Sequence, residues 1–193
     1  MKTTLLILLT LSICLSGYAQ KKAKCTDKGL GADGTLPSIR EQGLNVRKNR
    51  SKIPASPSPM TIPQLVKAKE ETDLDFNKAV TVRAYVAHVK PGEVETCNCY
   101  KPDLLDVHIE VVGKVADKDN KNKYVIFEIN PKLENKLGNA ASLKSLEDHW
   151  VTFTGYLTYD YLHRGESYNR KHKASNWRAT AWEVHPVTSL LIE

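Results

Sequence analysis

The chain has 193 residues, 41% of them apolar and 26% charged, with 28 Lys/Arg against 22 Asp/Glu and a net charge of +6. That is enough for one domain with a real core. The charge is uneven, which excludes a strongly basic domain: residues 20–70 carry 11 Lys/Arg against 4 Asp/Glu, and residues 71–193 carry 16 against 18.

In chain order, residues 1–19 combine Lys2, an apolar run from Leu5 to Leu15, and the small residues Gly17 and Ala19. This is the pattern of a secretory signal peptide cleaved after Ala19. The run is short for a membrane span, so no transmembrane anchor is expected, and Ile13 before Cys14 departs from a lipobox. A secreted or periplasmic location follows. Residues 20–60 are basic, hold Pro54, Pro57 and Pro59, and contain few large apolar side chains. They read as a disordered arm that is either a solvated tether or a non-specific attractor of polyanions. In residues 61–77, Thr61 opens a segment with Pro63 in its first turn and Ile62, Leu65, Val66 and Lys69 at helical spacing, which predicts an N-terminal helix.

Residues 78–193 alternate with period two. The first strand, "AVTVRAYVAHV", sets Val80, Val82, Ala84 and Val86 on one face. The second, "LLDVHIEVV", turns Leu105, Val107, Ile109 and Val111 inward and Asp106, His108 and Glu110 outward. "KYVIFEINP" is the third, "HWVTFTGYLTYD" the fourth and "WRATAWEVHPVTSLLIE" the fifth. A short helix near Asn139 separates the third and fourth. The predicted fold class is mainly β: a five-stranded OB-like Greek-key barrel with a short helix between strands three and four and an N-terminal helix. Gly155 suits a bend or bulge, and Pro186 is expected to end regular pairing or mark an edge.

The combination "ETCNC", "DVHIE", "FEINP" and "WRATAWEVHPVT" resembles a group of uncharacterised secreted bacterial OB-fold proteins ending in a WEIHPVT-like strand. The resemblance spans residues of about 80–193 and implies a fold and a compartment, not an activity. Staphylococcal-nuclease-like hydrolases share the barrel, but their acidic and arginine motifs are not found here.

An OB-fold uses the face of its second and third strands, flanked by the first-to-second and fourth-to-fifth loops. The first loop carries Glu93, Glu95, Cys97, Cys99 and Tyr100. The second offers Tyr161, His163, Arg164, Tyr168, Arg170, Lys171 and Lys173 as ligand-binding candidates. Rings interleaved with cations suit single-stranded nucleic acid or another polyanion, the bases stacking while the cations track phosphates. With Cys14 removed, an odd set remains, and Cys97 and Cys99 form either a disulfide, to Cys25 or to each other, or a soft-metal site. Asp106, His108, Glu183 and His185 are candidate ligands for a divalent metal ion, within a wider group that includes Glu128, Asp160 and His163. The same residues also suit a hydrogen-bonded belt or a solvent-facing strand surface. Trp182 and Val184 read as barrel core, with Glu183 and His185 on the opposite face. No P-loop, dinucleotide fingerprint, serine elbow or HExxH is present. The leading expectation is a non-enzymatic polyanion-binding module. The alternatives are a metal-dependent phosphodiester hydrolase and a cell-envelope interaction domain. No protein partner is identifiable, and no residue is assigned a catalytic role.

Overall fold

The computed structural model describes residues 24–167 and 177–193. Helix α1 (Ile39–Lys48), strand β1 (Ser58–Met60) and helix α2 (Ile62–Lys67) precede five long strands: β2 (Ala79–Pro91), β3 (Val107–Val112), β4 (Val125–Ile129), β5 (Trp150–Tyr159) and β6 (Trp182–Ile192). Helices α3 (Pro131–Leu137) and α4 (Ala140–Leu143) lie between β4 and β5. The long strands close in the order β2–β3–β4–β6–β5–β2. Every neighbouring pair is antiparallel except β4 and β6. The expected OB-like Greek-key barrel is therefore the fold, with β1 added in parallel along the start of β2.

Alternation makes the core. Val82, Ile109, Phe127, Phe153, Trp182 and Val184 all point into the barrel and are fully buried. Phe127 meets Phe153 edge to face at 5.1 Å, and Tyr159 meets Trp182 at 5.2 Å. Gly155 sits where the β5–β6 register shifts. A Cβ there would stand 2.4 Å from the Pro186 carbonyl oxygen, so the strands close only over glycine. Pro186 lies inside β6 instead of ending it. The register shift leaves His185 and Pro186 out of the β5–β6 ladder, so the missing proline N–H is not needed there.

The expectation of a disordered arm over residues 20–60 is corrected for the part described. Ser38 caps α1 by accepting from the Glu41 N–H. Leu44 is buried completely against the barrel. The Asn130 amide donates to the carbonyls of Lys48 and Arg50 at 3.0 and 2.6 Å. Arg40, Arg47 and Arg50 lie over the rings of Tyr161, Phe76 and Tyr156 at 4.0, 4.4 and 4.7 Å. A disulfide joins Cys25 to Cys99 across 74 positions. Composition missed this because the segment is held by long-range polar and covalent contacts rather than by an apolar stripe of its own. The helix expected over 61–77 is only six residues long. Thr61 and Gln64 form its capping box, and the Asp73 carboxylate takes the N–H groups of Lys69 and Glu70 just beyond its end. Among the described residues, no helix is long and apolar enough to cross a membrane.

Leu44→Ala should lower the unfolding free energy by about 2–5 kcal/mol, read from denaturant midpoints. A detached arm would show a change below about 0.5 kcal/mol.

Candidate functional site

The strand pattern that fills the barrel also builds its outer face. His108 pairs with Glu128 across β3 and β4. The parallel β4–β6 register, Ile126 with Glu183 and Phe127 with Val184, carries Glu128 alongside His185. Asp106, just before β3, and Glu110 complete a polar patch. This face does not look onto solvent: Asp106, His108, Glu110, Glu183 and His185 are all buried. The β2–β3 loop (92–106) covers it from one side with Glu95 and Cys97. The described residues between β5 and β6 contribute Asp160, His163, Trp177 and Arg178, and α1 contributes Lys48. Between them lies a cavity of about 530 Å³ whose wall includes Glu95, His108, Glu128, His163, Arg178 and Glu183.

Asp106, Glu128 and His185 each present an oxygen or nitrogen within 4.8 Å of the others. His185 Nδ1 is 2.5 Å from Glu128 Oε2 and 3.7 Å from Glu183 Oε2, and its Nε2 is 3.6 Å from Asp106 Oδ2. Yet neither ring nitrogen makes an aligned hydrogen bond, although the ring is wholly buried. Glu183 Oε2 and His108 Nε2 likewise lack an aligned hydrogen bond and make only ion-pair contacts at 3.7 Å, with His185 and Glu110. Buried polar atoms are nearly always satisfied, so poorly aligned ion pairs gathered in one patch make it the candidate site. Ligands about 2.0–2.2 Å from a divalent ion stand about 3–4 Å apart, which this trio meets with small side-chain movements. His108 Nδ1 contacts Glu128 Oε1 at 3.1 Å and so orients that carboxylate.

A second group adjoins the first. Lys48 Nζ contacts Asp160 Oδ2 at 2.7 Å and Glu95 Oε2 at 3.3 Å with its side chain only 3% exposed. His163 Nδ1 meets Asp160 Oδ2 at 3.0 Å, and Arg178 Nη2 meets Glu183 Oε1 at 2.6 Å. Burial opposes ionisation of Asp160, but Lys48, His163 and Arg178 outweigh it and hold the carboxyl well below its usual range. Burial would also lower both histidines. Asp160 and Glu95 instead raise His163 to about 9, and Glu128, Glu183 and Asp106 raise His185 to about 10. Burial lifts Asp106 to about 7, with Glu128 and Glu95 adding to the effect against His185 and Lys48. Burial likewise raises Glu128, but His185, His108 and Lys48 carry it well below the ordinary value.

Of the four predicted metal ligands, Asp106 and His185 belong to the converging trio. His108 and Glu183 stand beside it, and Glu128 takes the third position. Cys97 and Cys99 do not form a thiolate pair. Cys99 is bonded to Cys25, and Cys97 is a buried free thiol whose pKa is pushed up by burial. Its Sγ lies 3.6 Å from Glu95 Oε2 and 3.8 Å from Asp106 Oδ2. Of the loop candidates, His163 lines the cavity, and Arg164 is exposed. One face of the Tyr161 ring is covered by Arg40, which removes that face as a stacking surface. Tyr168, Arg170, Lys171 and Lys173 lie outside the described residues. Sequence reasoning missed Lys48, hidden in the supposed arm, and Arg178, which was read as part of a strand. A buried lysine in a helix carries no local signature.

No family model, curated protein or solved structure matches this chain.

Raised histidine pKa values give stability that is complete below about pH 6.5 and is lost as pH climbs through the folded values near 9 and 10. The denaturant midpoint should therefore fall between pH 6.5 and 10. The fall should be shallower in His185→Gln, which at pH 6 should also lose about 3 kcal/mol by stranding buried carboxylates. Equal slopes in the two proteins would contradict the charge assigned to His185.

Proposed function

We propose that this chain is a metal-assisted phosphodiester hydrolase whose centre lies on the outer β3–β4–β6 face. The observation that carries the reading is the convergence of Asp106, Glu128 and the fully buried His185, whose oxygen and nitrogen atoms lie within 4.8 Å of one another. A divalent ion there would take the place of the proton that the carboxylates hold on His185, polarise a phosphoryl oxygen and lower the pKa of a water molecule. Among the described residues the cavity wall has seven carboxylates against the three permanent cations Lys90, Lys121 and Arg178. Such a wall repels a bare polyanion and admits one when a cation offsets the excess. Trp177 supplies an aromatic surface at the cavity edge, with Lys90 and Arg178 at 5.6 and 5.4 Å from its ring, a pairing of ring and cation that suits a nucleotide chain. The Cys25–Cys99 disulfide fits an oxidising compartment, which supports an extracytoplasmic location.

A second reading, polyanion binding without turnover, is favoured by the exposed Arg164 and the cations Lys90 and Lys121 near the cavity. One assay separates the two. Labelled single-stranded DNA incubated with the protein and manganese should be cleaved, and EDTA or Glu128→Gln should stop cleavage. His108→Ala should weaken manganese binding by about 10–100-fold, measured calorimetrically. Salt-sensitive retention without cleavage supports the second reading, and neither effect removes both.

A further inference from the structure

We propose that His163 donates the proton that the departing oxygen needs when the phosphodiester is cleaved, and that Lys48 and Asp160 hold it ready for that step. This rests on the hydrolase reading and names a residue that the metal trio does not include.

Asp160 is the fixed point of the arrangement. Its side chain is 1% exposed. Its Oδ2 accepts from Lys48 Nζ at 2.7 Å and contacts His163 Nδ1 at 3.0 Å. Its Oδ1 accepts from the backbone N–H groups of Leu162 and His163 at 3.0 and 3.4 Å. With donors on both oxygens and a buried ammonium beside it, the carboxylate stays ionised and serves as a fixed acceptor. It orients the imidazole and keeps a proton on Nδ1, the part a carboxylate plays behind any catalytic histidine. The other nitrogen is differently placed. His163 Nε2 has Glu95 Oε1 at 3.5 Å and makes no hydrogen bond among the described residues. His163 lines the same cavity as Glu128 and Glu183, and its side chain is one-quarter exposed. The transferable proton therefore sits on Nε2, beside Glu95 Oε1 in the cavity wall. The groups that set its charge come from three elements: Asp160 on the β5–β6 loop, Glu95 on the β2–β3 loop and Lys48 on α1.

The step balances. The oxygen of a water molecule forms a bond to phosphorus as the bond from phosphorus to the leaving oxygen breaks. The electron pair of the broken bond stays on the leaving oxygen, which takes the proton from Nε2 and departs as an alcohol. The water gives up a proton to solvent, and neutral His163 regains one from solvent. The geometry also accounts for a lysine buried in a helix of an otherwise soluble-looking segment: Lys48 keeps Asp160 anionic.

The test compares two probes with manganese present. Bis(p-nitrophenyl) phosphate releases an anion that needs little protonation, whereas a dinucleotide releases an alkoxide that does. In His163→Gln, dinucleotide cleavage should fall by about 10²-fold or more, and at least tenfold further than p-nitrophenolate release. Wild-type dinucleotide cleavage should also decline on the alkaline side, near pH 9, more steeply than aryl ester cleavage. The pH comparison needs no variant and so holds even if the substitution impairs folding. Equal loss on both probes, no loss on either, or wild-type turnover of the aryl ester alone overturns the assignment while leaving the hydrolase reading intact. No turnover of either probe by the wild-type protein removes that reading, and this one with it.

Discussion

Lys48 and Asp160 meet at 2.7 Å with side chains 3% and 1% exposed, and most of the polar architecture hangs on that contact. Neither charge is tolerable alone in such surroundings. Removing one partner of a buried pair costs about 3–5 kcal/mol because the other is left uncompensated. The pair fastens α1 to the barrel far more specifically than the apolar contact of Leu44 does. Asp160 in turn orders the start of the β5–β6 loop through its second oxygen and turns the His163 ring toward the cavity. One ion pair thus joins the N-terminal segment, the barrel and a loop of the candidate site.

The rest of the outer face obeys the same constraint with a different outcome. Arg178 and Glu183 compensate each other. Lys90 answers Glu110 at 2.6 Å. Around His185 the compensation is incomplete: charges are matched, but hydrogen-bond geometry is not. A barrel of this size could have placed apolar residues on the outer surface of β3, β4 and β6 and covered them with loops. Charge kept in a buried patch despite its desolvation cost is characteristic of sites that bind or react.

The barrel itself was legible because its signal is local. Alternation in "AVTVRAYVAHV" and "DVHIEVV" assigns each side chain to a face without any knowledge of the partner strand, and Gly155 announced an irregularity where one occurs. Helix α3 was overlooked even though Asn130 and Pro131 form a recognisable start. The site was half legible. Asp106, His108 and Glu110 share one strand face and Glu183 and His185 another, but which of these residues and Glu128 converge depends on the β4–β6 register, and those strands are separated by more than fifty residues.

From sequence alone came the strand order, the two faces of each strand, the excess of basic residues at the N-terminus and the candidate histidines and carboxylates. These follow from periodicity and composition, which act over a few neighbouring residues. Tertiary structure alone decided that the outer face is covered, that residues 24–60 are part of the fold, that Cys99 bonds to Cys25 and leaves Cys97 free, and that Lys48 reaches Asp160 from 112 positions away. Burial, pKa and ion pairing depend on which distant segments exclude water from a group, and a local pattern carries no record of them.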